Sequence, residues 1–237
     1  MDMVITRLFP NVGLPFLESV RGTGSMERDW DNRAKIGAQI SVTGTASVEE
    51  EQAQARLNLD NRILQGINLN KGSVVLEIGC GLGTYLKLFS GRVKEVHGVD
   101  ISGEMLKKAK ERLRDCSNVF LYKTEGQLDM FPNRHFDFVY SVGVFQHFPS
   151  KHLVYGYFRD TSRVLKVGGE FAFHVDGRYY LKWRRIKGGT ARGVVFSPAE
   201  VRENLEKYGF QINNIREENT IGMIVSGVLV KDHKLEV

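Results

Sequence analysis

Cysteine, long apolar runs and internal repeats are what this chain has least of. Only Cys80 and Cys116 occur in its 237 residues, and two thiols supply neither a disulfide framework nor a metal-ligand spacing. A reducing cytoplasm is therefore the expected compartment. No stretch of about 18 apolar residues is present, so no segment is expected to span a membrane. Met1 to Pro10 lacks a basic start followed by an apolar block, so no secretory signal is expected. No repeat and no low-complexity tract is evident. Charge of one sign is not in large excess either. The net charge of +5 permits an anionic partner without arguing for nucleic acid.

What is present is ordinary globular material, 42% hydrophobic and 26% charged, enough for one sizeable core with an added segment. The most informative stretch is Val74-Val75-Leu76-Glu77-Ile78-Gly79-Cys80-Gly81-Leu82-Gly83-Thr84. Its first five residues read as a buried parallel strand, apolar and partly β-branched rather than alternating. The glycines permit a tight turn that a ligand can approach. The helix that follows points its free N–H groups at the same space.

Residues 1–26 read as an irregular arm. Trp30, Ala34 and Ala38, four apart, predict a helix over Glu27 to Gln39. Ser47-Val48-Glu49-Glu50 is a capping-box pattern opening a second helix, which carries Ala53, Leu57, Ile63 and Leu64 and ends near Gly66. Strand and helix then alternate. Strands are expected at 73–79, Val93–Asp100, Val119–Lys123, Phe136–Val142 and Glu170–Val175. Helices are expected from Thr84 to Ser90, from a Ser102 cap through Met105, Ala109 and Leu113, and from a Ser150 cap through Leu153, Tyr157 and Val164, where Val167-Gly168-Gly169 would end it. Such alternation implies a doubly wound parallel sheet with helices on both faces. Residues 177–196 interrupt it. Ser197-Pro198-Ala199-Glu200 opens a last helix that Gly209 ends, and Phe210–Glu217 and Met223–Lys231 form a closing antiparallel strand pair. The division expected is 1–45, an arm and lid helix, and 46–237, the α/β domain.

The glycine spacing alone is weak evidence, because the third glycine of the dinucleotide fingerprint falls on Thr84. Three features add to it. Asp100 ends the second strand, placed to hold a ribose diol. Glu125-Gly126 follows the third strand and offers a carboxylate and a backbone N–H to a purine edge. The chain ends in a strand pair rather than a second mononucleotide half.

At these residues the chain resembles the class I S-adenosylmethionine-dependent methyltransferases. Val74 to Thr84 is similar to their first motif and His97-Gly98-Val99-Asp100 to the second-strand motif. Phe136 to Ser141 with Phe145 to Pro149 resembles the fourth-strand region. Leu165 to Phe171 resembles the turn into the fifth strand, with Val167 where a proline is common. The likeness runs from about Lys71 to the C-terminus.

The resemblance implies a Rossmann-like, mostly parallel seven-stranded sheet with its last strand antiparallel, S-adenosyl-L-methionine as cofactor and S-adenosyl-L-homocysteine as product. It also implies roles. Gly79, Gly81 and Gly83, with Cys80 between them, would let the methionine end lie along the loop. Glu77 would help hold the amino group and Asp100 the ribose hydroxyls. Ile101 would pack on the adenine, with Glu125 and the Gly126 backbone at its edge. Ser141 and Val142 would line the methyl region.

The acceptor side is less determined. His147 and His174 stand near where the methyl should be and are the candidate general bases; either could instead be a histidine bonded to backbone. Arg178 to Arg192 carries Arg178, Lys182, Arg184, Arg185, Lys187 and Arg192 with no acid, interleaved with Tyr179, Tyr180 and Trp183. It suits an anionic substrate or nucleic acid, or is a solvated loop. Trp30 and Arg33 lie on a helix that either closes over the cofactor or only pins itself to the body. No metal cluster is evident. The leading reading is methyl transfer to an O or N of a small acceptor. RNA methylation, a non-catalytic cofactor-binding regulator and a nicotinamide oxidoreductase are the alternatives.

Overall fold

The computed structural model of the protein describes residues 23–43, 47–179 and 193–231. Seven strands form one sheet: β1 (Val74–Ile78), β2 (Glu95–Asp100), β3 (Val119–Lys123), β4 (Phe136–Ser141), β5 (Leu165–Val175), β6 (Phe210–Arg216) and β7 (Met223–Leu229). Their order is β3-β2-β1-β4-β5-β7-β6. β1 to β5 run parallel, and β7 lies antiparallel between β5 and β6. The helices are α1 (Thr23–Thr43), α2 (Val48–Asn58), α3 (Thr84–Ser90), α4 (Gly103–Arg112), α5 (Lys151–Val164) and α6 (Pro198–Lys207). The α/β sheet expected from the sequence is therefore the one observed, including the antiparallel strand near its end.

The pleat divides the core in two. Val74, Leu76 and Ile78 face one side with Tyr157 and Phe158 of α5 and Val201 and Leu205 of α6. Val75 faces the other, with Leu86 and Phe89 of α3, Ala109 of α4, and Phe138 and Tyr140 of β4. Every residue of β1 is buried, as a central parallel strand covered on both faces requires. Each fully buried Leu or Phe contributes about 1.5–3 kcal/mol, so the sheet holds the carboxyl ends of β1, β2 and β4 as a rigid platform.

Ser47, Ser102 and Ser197 cap α2, α4 and α6 by accepting from Glu50, Met105 and Glu200 N–H. Ser150 stands at the N-cap of α5 without a side-chain capping bond. Several elements differ from the sequence reading. α1 begins at Thr23 and runs through a non-helical Gly37 to Thr43. The buried face of α2 and the π-helical turn after it is Glu51, Ala55, Leu59 and Ile63, while Leu57 is 64% exposed. The face is displaced because Glu51 points inward to bond Arg112 at 2.8 Å and Thr84. β5 starts at Leu165, so Gly168-Gly169 does not end a helix. Phe136 pairs with Leu165 and Phe138 with Glu170, leaving residues 166–169 as a bulge inside the strand. Among the described residues no helix is long and apolar enough to cross a membrane.

Candidate active site

The turn after β1 is held from below by β2. Gly79 and Cys80 N–H both donate to Val99 O, at 2.8 and 3.0 Å. Gly79, Gly81 and Gly83 have φ of 75°, 49° and 75°, the left-handed region that glycine enters without penalty. A Cβ on Gly79 would also collide with the side chain of Val144. Cys80 turns its thiol downward onto Gly98, where a Cβ would lie 2.9 Å from the sulfur. Burial pushes that thiol well above its usual range, so Cys80 is a packing residue whose backbone alone faces the loop.

Asp100 joins the loop to the next helix. Its Oδ2 accepts from Gly81 N–H at 2.8 Å and its Oδ1 from Ser102 N–H at 2.9 Å. Burial raises its pKa while these backbone bonds oppose the rise. A carboxylate has about four lone-pair sites, so both oxygens keep acceptor capacity for a diol. Ile101, half-buried, packs beside it on the core. Beneath the loop Glu77 is buried and takes a 3.0 Å bond from the Tyr140 hydroxyl. Burial pushes its carboxyl well above the usual range.

On the far side of Asp100, Glu125 is exposed. Gly126, at φ 106°, donates its N–H to Thr124 Oγ1 at 3.1 Å, so a purine edge would share that donor. Ser141 is fully buried and donates to Ile78 O at 3.0 Å, tying β4 to β1. Val142 is half-buried against the core.

His174 requires a correction. Gly143 N–H donates to its Nδ1 at 3.0 Å, which makes Nε2 the protonated nitrogen, 2.8 Å from Ile221 O. Burial lowers its pKa to about 4. With the lone pair given to Gly143 and the proton to Ile221, the ring clamps the turn after β4 to the β6–β7 loop; it is not placed as a base. His147 is half-buried at the end of a short 3-10 turn, Phe145–His147. The Trp30 ring meets it edge-on, with centroids 5.3 Å apart, and the Arg33 guanidinium lies 5.2 Å from the Trp30 centroid. So α1 does approach the end of β4.

α1 is seated by contacts the sequence reading missed. Asp31 Oδ1 accepts from Ser102 Oγ at 2.5 Å and from Glu104 N–H at 3.2 Å, placing a carboxylate at the N-terminus of α4. Ala34, Leu82 and Met105 form a small buried cluster with Trp30 packed against it. The only local signal for Asp31 is its position one residue after Trp30.

Of the basic segment, Arg178 is forked onto Asp176, with Nε at 3.0 Å and Nη2 at 2.7 Å. That ion pair at the base of the insertion takes up the Arg178 charge expected to serve a substrate. Tyr180, Trp183, Arg184 and Arg185 lie outside the described residues, and Tyr179 is half-buried before them. The chain returns with Gly193 N–H on Gln146 O at 2.7 Å and Val194 N–H on Phe148 O at 3.1 Å. The insertion thus ends beside His147. Gln146 itself is 5% exposed, and among the described residues its Oε1 has no hydrogen-bond partner.

Comparison with known proteins agrees with this geometry. Residues 76–173 match the sequence model of a family described as a methyltransferase domain. An uncharacterized protein of Methanocaldococcus jannaschii is 35% identical over 172 residues, covering 61% of this chain and 64% of its own. A probable tRNA methyltransferase 9B of Mus musculus is 34% identical over 109 residues, covering 44% of this chain and 22% of its own. The chain thus spans less than two thirds of the length of either relative. Among solved structures, the DhpI complex with S-adenosylhomocysteine superposes with a TM-score of 0.64 at 21% identity, covering 88% of this chain and 97% of that one. At that identity the likeness is one of fold. Residues 76–173 are a methyltransferase domain, and the sheet that contains them is that of the class I S-adenosylmethionine-dependent methyltransferases.

Proposed function

We propose that the protein transfers a methyl group from S-adenosylmethionine to an oxygen or nitrogen of a small acceptor held between α1 and the turn after β4. The observation that carries this reading is the meeting of Trp30 with His147 while α1 is anchored on the N-terminus of α4. A helix seated there would close over the carboxyl ends of the strands, where ligands bind in an open α/β sheet. Such a chamber favours a small molecule over a folded nucleic acid.

The residues fit the donor. The loop 79–83 offers backbone at a place where a Cβ is excluded, and Asp100 retains acceptor capacity for the ribose. Ile101 offers an apolar edge, and Glu125 with Gly126 a polar one. Bound there, the donor supplies an already activated sulfonium methyl. The work of the chain is to orient the acceptor behind that methyl and exclude water. Where the acceptor carries a proton, the His147 imidazole would receive it. Beyond Arg178, whose charge is paired with Asp176, the basic residues Lys182, Arg184, Arg185, Lys187 and Arg192 would favour an anionic acceptor. We further infer that 1–45 acts as an arm and lid on the domain 46–237.

RNA methylation is the second reading, favoured by the name of the mouse relative and by the basic segment. Methyl-labelled donor supplied to the full chain with a metabolite extract or an RNA pool separates the two. Label is expected in the small-molecule fraction. Label confined to RNA overturns the proposal, and binding without transfer to either supports a regulatory role instead.

A further inference from the structure

At the end of the sheet opposite the glycine loop lies a second group of polar side chains. Glu95 and His97 are two apart on β2 and therefore share a face. His135 stands just before β4, its N–H bonded to Val164 O at 2.7 Å. In the sheet β1 separates β2 from β4, yet the rings of His97 and His135 approach to 5.6 Å between centroids. One ligand atom from each of Glu95, His97 and His135 can be chosen so that all three lie within 4.8 Å of one another.

His97 is the unusual member. It is 6% exposed, and among the described residues neither ring nitrogen has a hydrogen-bond partner. Its Nε2 only approaches Glu95 Oε2, at 3.5 Å. The ring is stacked by Phe120 and Tyr122 and edged by Phe131 and Phe136. A phenylalanine would fill that box without burying two unpaired nitrogens, a state that buried polar groups avoid. Glu95 Oε1 is bonded to Lys94 Nζ at 3.0 Å, which leaves Oε2 directed at His97. Glu95 and His135 are half-buried, so the group has a path to solvent.

We propose that Glu95, His97 and His135 form a binding site for a divalent transition metal ion, with zinc the best match and water as fourth ligand. Two imidazoles and a carboxylate are a zinc donor set. Donors around a tetrahedral zinc sit about 3.3 Å apart, given bonds of about 2.0–2.2 Å. The Glu95–His97 separation of 3.5 Å already approaches this. Closing the remaining gap to His135 takes a side-chain movement of at most about 1.5 Å. The ion would tie β2 to the start of β4 across β1, far from the methyl-transfer cleft. This is a site the sequence reading missed: two of its ligands are neighbours on one strand, and the third arrives only through the fold.

The test uses the full chain stripped by a chelator. Zinc is titrated against a chromophoric competitor, and cobalt is substituted for its visible spectrum. One zinc per chain is expected, with visible bands of tetrahedral cobalt and a rise in Tm with zinc but not magnesium. His135→Ala and Glu95→Gln should each weaken zinc binding at least about tenfold. His97→Phe, which keeps the aromatic packing and hence the fold, should abolish it. Absence of stoichiometric zinc binding by the wild-type chain overturns the proposal. So does wild-type affinity in either histidine variant.

Discussion

On the donor side of the cleft, β1, the loop 79–83 and the end of β2 meet through hydrogen bonds from backbone N–H groups: Gly79 and Cys80 to Val99 O, and Gly81 to the Asp100 carboxylate. On the side proposed for the acceptor, Trp30 and His147 meet through ring edges, from elements far apart in the chain. The first region is rigid and chemically specific, since each bond is set by the pleat and register of the parallel sheet. The second depends on how one N-terminal helix is seated. A fold arranged this way can keep its donor while changing its acceptor.

The sharpest way to break that contrast is at Asp100. Asp100→Ala removes the acceptor of two buried backbone N–H groups. It should cost about 2–5 kcal/mol of stability and lower donor affinity by about 100-fold or more, read by melting and calorimetry. Asp100→Asn keeps one acceptor oxygen and should lose less of both. Equal losses would mean that charge, not the paired bonds, holds the loop.

Acid should separate the regions next. His174 has a folded pKa of about 4 against an ordinary value of 6.5. Between those values the unfolded chain binds the extra proton, so stability is complete above about pH 6.5 and falls as pH drops toward 4. The loss from this residue is about 3 kcal/mol. Urea melts across that range should show it, and His174→Asn should flatten it. An unchanged slope in the variant would remove His174 as the clamp of the Gly143 turn.

Trp30→Ala tests the proposed acceptor wall alone. It should raise acceptor KM about tenfold, while donor affinity stays within about twofold. A matched loss of donor affinity would merge the two walls into one. Smallest of all should be Arg178→Lys. Its fork onto Asp176 is the base of the insertion, so a change of less than about threefold in acceptor KM is expected.

The strand, turn and cap around the loop 79–83 were largely legible in the sequence because they are local. Val74 to Thr84, Asp100 and Ser102 stand in short stretches whose strand, turn and cap chemistry can be read residue by residue. The parallel core and the antiparallel terminal pair followed from the alternation and the closing strands, and the resemblance implied seven strands; the strand order is set by the fold. What escaped was long-range. Glu51 turned the buried face of α2 by pairing with Arg112. The Gly168-Gly169 pair read as a helix stop and proved to be a bulge, because Leu165 already pairs with Phe136. His174 looked like a base until Gly143 and Ile221 took both its nitrogens. Asp31 on Ser102, and His135 beside His97, involve partners brought together only by the sheet.

Donor binding at the loop 79–83 and Asp100 is the central property proposed for the protein. Calorimetric titration of the full chain with S-adenosylmethionine, and separately with NAD, measures it. One-to-one binding of S-adenosylmethionine, in preference to NAD and lost in Asp100→Ala, is the result predicted; no binding of S-adenosylmethionine, or a preference for NAD, would contradict it.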